Sequence, residues 1–180
     1  MRQNDFQLSL HIPRSKKIFG GSLLKKSNPK KPRPLSMKHP MHFVLKSVRA
    51  KGKYSFLQKS NAKKIDFILK KQAKKFGIKI YRYENVGNHL HILLRGLHRR
   101  LLVNYIRSVT GLIPRAILGV ERGRKLSLKF WDQRPFSRVV QWGGDYKNML
   151  KYLGKNRLQA LGFDLKALAE TFPQANLDSG

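Results

Sequence analysis

The chain has 180 residues, and its 39 Lys and Arg against 9 Asp and Glu give a formal charge of +30, an excess that cannot be neutralised internally and calls for a polyanionic partner, most simply nucleic acid. No cysteine is present, which excludes disulfides and thiolate metal sites. The opening MRQNDFQLSLHIPRS lacks the apolar region of a secretory signal, no apolar run approaches the roughly 20 residues of a spanning helix, and a cytoplasmic protein without a membrane partner is the expectation.

In chain order, residues 1–36 read as a basic, disordered tail. Its KKIFGGSLLKKSNPKKPRP mixes Lys, Gly, Ser and Pro without sustained periodicity, and its lysines can grip phosphates weakly. The globular part is expected over residues 37–162. MHFVLKSV (Met41 to Val48) has the β-branched and apolar content of a strand. A helix follows from Ser60 to Phe76, with Ile65, Ile68, Leu69, Gln72 and Phe76 on one face and lysines over the remainder. Gly77 is a natural stop. IKIYRYENV and HLHILLRG, joined at Gly87-Asn88, read as a hairpin. RRLLVNYIRSVTGLIPRAIL is a second helix with Leu102, Tyr105, Ile106, Val109 and Ile113 along one stripe, which Pro114 is expected to kink or end. LKFWDQRPFSRVVQW supplies one or two strands, and GDYKNMLKYLGKN a third helix. Residues 163–180 form a less basic C-terminal tail. The first six elements match the α+β, ferredoxin-like arrangement: an antiparallel sheet with helices on one face. That fold by itself names no function.

The run NHLHILLRG, Asn88 to Gly96, places two histidines one residue apart. Side chains on a strand alternate faces, so His89 and His91 point one way and Leu90, Ile92 and Leu94 the other, into a core. Imidazoles at i and i+2, about 7 Å apart at Cα, can converge on one cation. An H-x-H alone more often marks two histidines satisfied by their neighbours. A metal site needs a third ligand and a reactive group beside it.

The last helix offers both. With Tyr146 at zero on a helical wheel, Tyr146, Met149, Leu150 and Leu153 fall within about 60° either side and form the buried stripe. Tyr152 and Asn156 lie together on its flank, at about 240° and 280°, as i, i+4 neighbours. Taken alone, such a tyrosine is more often an amphipathic side chain at the core edge.

Together these stretches resemble a known family. NHLHILLRG resembles the HUH motif (His, bulky apolar, His) of the single-tyrosine transposases, in particular the REP-associated tyrosine transposase branch. KYLGKN is similar to their nucleophile helix, in which Tyr is followed four residues later by a metal ligand, and RPLSMKHPMHFVLKS to the start of their domain. The resemblance spans roughly Arg33 to Phe163. It implies that His89, His91 and Asn156 hold a divalent cation and that Tyr152 is the nucleophile. It implies a 5′-phosphotyrosine intermediate with a free 3′-OH, hairpin-bearing single-stranded DNA as substrate, and often a homodimer.

Other residues fit that chemistry. Tyrosine ionises near pH 10 and is a poor nucleophile unassisted, and neutral histidines with an amide oxygen suit Mg²⁺ or Mn²⁺. Lys147, Lys151 and Lys155 favour the phenolate. Arg95, Arg99 and Arg100 are phosphate clamps or else a solvated helix start. Tyr81, Tyr83, Phe130, Trp131 and Trp142 can stack on unpaired bases, though core packing is the commoner role for each. Two rival functions are an HUH replication initiator or relaxase nickase, and a non-catalytic ferredoxin-like nucleic-acid-binding domain. An RNA-recognition motif would carry aromatics on its central strand, where this chain has histidines. The short chain favours the transposase.

Overall fold

The computed structural model describes residues 19–20, 34–121, 123–126 and 128–163. Its elements are β1 (Phe19–Gly20), β2 (Met41–Lys46), α1 (Lys59–Phe76), β3 (Ile78–Asn85), β4 (His89–Gly96), α2 (Arg99–Leu118), β5 (Phe136–Val139) and α3 (Gly144–Ala160). The strands form one sheet in the order β1-β5-β2-β4-β3, and every neighbouring pair is antiparallel. Leaving β1 aside, this is the split βαβ arrangement expected from the element order.

Two of the residues assigned to the N-terminal tail, Phe19 and Gly20, pair with Arg138 and Ser137 of β5 and extend the sheet. Leu35 and Met37 pack against the core, so ordered packing begins ahead of Met37. The remainder of the tail, 1–18 and 21–33, and the C-terminal tail beyond Phe163 lie outside the described residues.

Local chemistry sets the element ends. Gly77 closes α1 in the left-handed region (φ 61°, ψ 39°) and donates its N–H to Ala73 O, a conformation cheap only for glycine. On the buried face of α1, Gln72 accepts from Ser108 Oγ of α2 at 2.9 Å, which explains a polar residue in that stripe. The second helix does not end at Pro114. It runs on to Leu118. A proline there leaves the carbonyl of Thr110 without its helical donor, and the Trp131 indole N–H supplies one at 2.8 Å. By length and hydropathy α2 also matches a membrane-spanning helix, against the reading that no run does. Here it is a core helix, with Leu102, Tyr105, Val109 and Ile113 fully buried. The stretch from Leu128 to Trp142 yields one strand, β5, because Phe130 turns inward beside Phe56 and Trp131.

The two faces of the sheet differ. Met41, Phe43, Leu45, Leu90, Ile92 and Leu94 join α1 and α2 in the main core. On the other face, among the described residues, Leu93, Val140, Met149 and Leu153 make a small buried cluster, and they hold α3. Each such side chain contributes about 1.5–3 kcal/mol at most on burial, so α3 is the most lightly held helix. Leu150, Tyr146 and Tyr81 pack around that cluster, and the histidines lie on the same face of the sheet.

Candidate active site

Alternation along β4 sends His89, His91, Leu93 and Arg95 to the α3 face. A bulge in β3 sets Tyr81 and Arg82 together opposite Leu93, so both serve that face. Beyond the bulge, Glu84 lies in register with His91.

Three contacts lay α3 along β3 in a common direction. Tyr146 packs on Tyr81 with ring centroids 5.8 Å apart, Gly154 faces the Arg82 guanidinium, and Arg157 approaches Glu84 Oε2 at 4.0 Å. The helix start is pinned by Asp145, which accepts from Arg138 Nη2 at 2.6 Å and from the Gln141 N–H at 2.9 Å. An acidic side chain in a first turn also suits the helix dipole.

This placement brings Tyr152 over the histidines. Its ring stands edge-on to His91 at 5.8 Å and to His42 at 6.2 Å between centroids, and the residue is 46% exposed. The rings of His89 and His91 are 5.2 Å apart. Tyr146 instead packs with the Met149 and Leu153 cluster, and Tyr105 is buried in the main core on the opposite face.

His42 was not among the candidate residues. It lies 4% exposed on β2, its Nε2 is 3.1 Å from His91 Nδ1, and the two ring planes are nearly parallel, at 7°. The signal was present in MHFV, because a histidine between core residues Met41 and Phe43 must face the other side. What sequence did not reveal is that β2 lies beside β4, a pairing made across 49 residues.

Burial keeps all three imidazoles neutral at pH 7. It lowers His42 to about 3, with His91 and Arg138 adding to the effect. It lowers His91 to about 4, helped by His89. His89 is also lowered, by burial and then by Lys46. Neutral imidazoles retain a lone pair for a cation or proton.

The histidine strand and the tyrosine helix up to Asn156 fall inside the span of one family match. The family described as transposase, IS200-like, matches residues 36–156. The chain belongs to that family. Among solved structures it is similar to a REP-associated tyrosine transposase bound to a REP hairpin, with a TM-score of 0.57 and 13% identity over 73% of this chain and 74% of that one. At that identity the likeness is one of fold. No curated protein matches the chain.

His89 and His91 offer two of the donors that a divalent cation would need. Among the described residues no three His, Cys, Asp or Glu side chains are arranged to hold one ion, so a metal on His89 and His91 needs a donor of another type. Asn156 lies one turn beyond Tyr152 on α3. Its Nδ2 is buried and has no hydrogen-bond partner. Amide nitrogen and oxygen exchange places by a half-turn, so the orphaned position can equally present Oδ1, an oxygen suited to Mg²⁺ or Mn²⁺.

The predicted DNA-binding residues separate. Arg95 shares the histidine face, but its Nε–H donates to Met37 O at 3.1 Å, so part of its guanidinium holds the N-terminal segment. Arg99 and Arg100 are exposed in the first turn of α2, where positive charge opposes the helix dipole. Lys147, Lys151 and Lys155 are exposed at successive i, i+4 positions on α3.

Of the predicted stacking aromatics, three are structural. Phe130 is 3% exposed, Trp131 serves Thr110, and the Tyr83 hydroxyl donates to Asp66 at 2.6 Å. Tyr81 and Trp142 remain, packed with Tyr146. Trp142 is 44% exposed while its Nε1–H donates to Lys38 O at 3.2 Å.

Proposed function

We propose that this transposase cleaves and rejoins single-stranded DNA through a covalent bond to Tyr152. The observation that carries the reading is the half-exposed Tyr152 ring lying against His91, with the buried, unpartnered amide of Asn156 one turn further along the same helix. His89, His91 and Asn156 would hold Mg²⁺ or Mn²⁺. Bound there, the cation would supply Lewis-acid polarisation of the scissile phosphate.

In the cleavage step the Tyr152 hydroxyl loses its proton and its oxygen attacks phosphorus. The bond from phosphorus to the 3′ oxygen breaks, and that oxygen leaves as a 3′-OH after taking up a proton. The DNA is left as a 5′-phosphotyrosine. Rejoining reverses these events: an incoming 3′-OH attacks the phosphotyrosine, and the Tyr152 oxygen leaves. One phosphodiester-type bond is exchanged for another at each step, so no nucleotide cofactor is consumed.

Arg99, Arg100, Lys147, Lys151 and Lys155 would line the strand's path as phosphate contacts. Arg95, on the histidine strand itself, would offer its terminal guanidinium nitrogens to a phosphate. A hairpin-bearing strand is the proposed substrate, in keeping with the hairpin bound by the similar solved structure. A homodimer in the cytoplasm is the proposed setting, in keeping with the family.

The test is incubation with a labelled, hairpin-bearing single-stranded oligonucleotide and Mn²⁺, followed by a denaturing gel. Wild type should yield a protein–DNA adduct, as should Tyr146→Phe. Tyr152→Phe, which keeps the ring and its packing, should yield none while still binding the DNA. An adduct with Tyr152→Phe would reject the nucleophile. Absence of any adduct with wild type would favour a non-catalytic DNA-binding domain.

A further inference from the structure

The two strand histidines have a feature in common. Each has its Nδ1 engaged by a neighbour, His89 with Asn88 Oδ1 and His91 with His42 Nε2. Asn88 presents its Oδ1 to the ring; in that orientation of the amide, which a half-turn would reverse, the oxygen only accepts, so His89 donates from Nδ1 and leaves Nε2 bare. For His91 the proton on the shared bond can sit on either ring. A cation on His91 Nε2 decides between them, because that nitrogen must then be unprotonated and Nδ1 must donate.

We propose that His42 is a positioning residue for the cation site: its Nε2 accepts the Nδ1–H of His91 and holds that ring with Nε2 bare, as Asn88 does for His89. The inference rests on the metal reading above and extends it to two residues that touch neither the cation nor the DNA.

Three observations support it. His42 and His91 are both buried, at 4% and 3% exposure, so water cannot easily replace a lost partner and an unpaired N–H there is costly. The edge-to-edge geometry, with ring centroids 5.3 Å apart and planes at 7°, fixes the His91 plane as well as its proton. His42 is itself held from the sides by Phe136, edge-on at 6.4 Å, and by Tyr152. It therefore links the tyrosine's seat to the orientation of His91. Partners of this kind set the tautomer and direction of metal-bound histidines, and their loss usually weakens binding tenfold to a hundredfold.

The test is calorimetric titration of the metal-free full chain with Mn²⁺ alone, without DNA. His42→Phe keeps the ring volume and removes the acceptor, and should weaken Mn²⁺ binding by about tenfold or more. His42→Gln restores an acceptor at a similar reach and should recover most of that loss, a rescue that a packing role does not produce. Asn88→Ala, a turn substitution with little risk to folding, should weaken binding in the same way. Wild-type affinity in His42→Phe, or equal loss in the Phe and Gln variants, would overturn the proposal. No Mn²⁺ binding by wild type would overturn the metal reading itself and this inference with it.

Discussion

His89 and His91 hold their rings 5.2 Å apart on one face of β4, and each has its Nδ1 turned to a neighbour. On the proposal above, the nitrogens that face a cation are the two Nε2 atoms. A double substitution, His89→Ala with His91→Ala, should abolish measurable Mn²⁺ binding by calorimetry. Asn156→Ala should weaken binding without removing it. It should also leave stability unchanged or slightly raised, because the buried Nδ2 it deletes is unpartnered. Unaltered affinity in the double variant would remove the site.

Stability of the metal-free protein should fall as the solution is acidified. His42 and His91 titrate near 3 and 4 when folded, and His89 is lowered as well. All three titrate near 6.5 when unfolded. Between those limits the unfolded chain binds more protons, so stability rises with pH there. It is fully present above about 6.5 and lost progressively as pH falls toward 3. Urea midpoints measured from pH 7.5 down to 4 should decline. His42→Gln should make the decline shallower, since it removes the most strongly lowered of the three. A flat profile in wild type would contradict the buried, neutral histidines.

Two glycines should respond oppositely to alanine. A Cβ on Gly154 would meet Arg82 Nη2 at 3.5 Å, an ordinary contact. Gly154→Ala should therefore stabilise α3 by up to about 1 kcal/mol through helix propensity. A Cβ on Gly96 would come within 2.9 Å of Ile78 Cδ1 and 3.2 Å of Leu102 Cβ, so Gly96→Ala should destabilise by about 1–3 kcal/mol. Denaturant melts decide both. A loss in Gly154→Ala would show that the helix needs the gap for Arg82.

Single-strand affinity should combine a salt-dependent part with a stacking part. The logarithm of affinity should fall with the logarithm of salt, by about 0.7 per phosphate contacted. Trp142→Ala should cost about 1–3 kcal/mol at any one salt concentration, with the slope unchanged because no charge is lost. Trp142 is the exposed one of two tryptophans, so quenching of intrinsic fluorescence by oligo-dT should vanish in Trp142→Phe. Quenching that persists there would place the bases elsewhere.

Much of the fold was legible because it rests on periodicity and turn chemistry, which are local. The helical stripe of Ile65, Ile68 and Leu69, the Gly77 stop, and the alternation that separates His89 and His91 from Leu90 and Ile92 could all be read without a third dimension. So could the flank position shared by Tyr152 and Asn156, since a helix has a fixed angular step. Non-local pairing could not. His42 joined the site only because β2 hydrogen-bonds beside β4, and Glu84 only because the bulge at Tyr81 shifts the register of β3. Pro114 continued its helix because Trp131, 17 residues later in sequence, donates to the carbonyl that the proline leaves free. The same packing claimed Phe130, Trp131 and Tyr83 for structure and left Trp142 at the surface. Composition called for a polyanionic partner, and spacing determined which side chains share a face. Which faces meet depends on contacts between residues far apart in the chain, and only the folded sheet decided those.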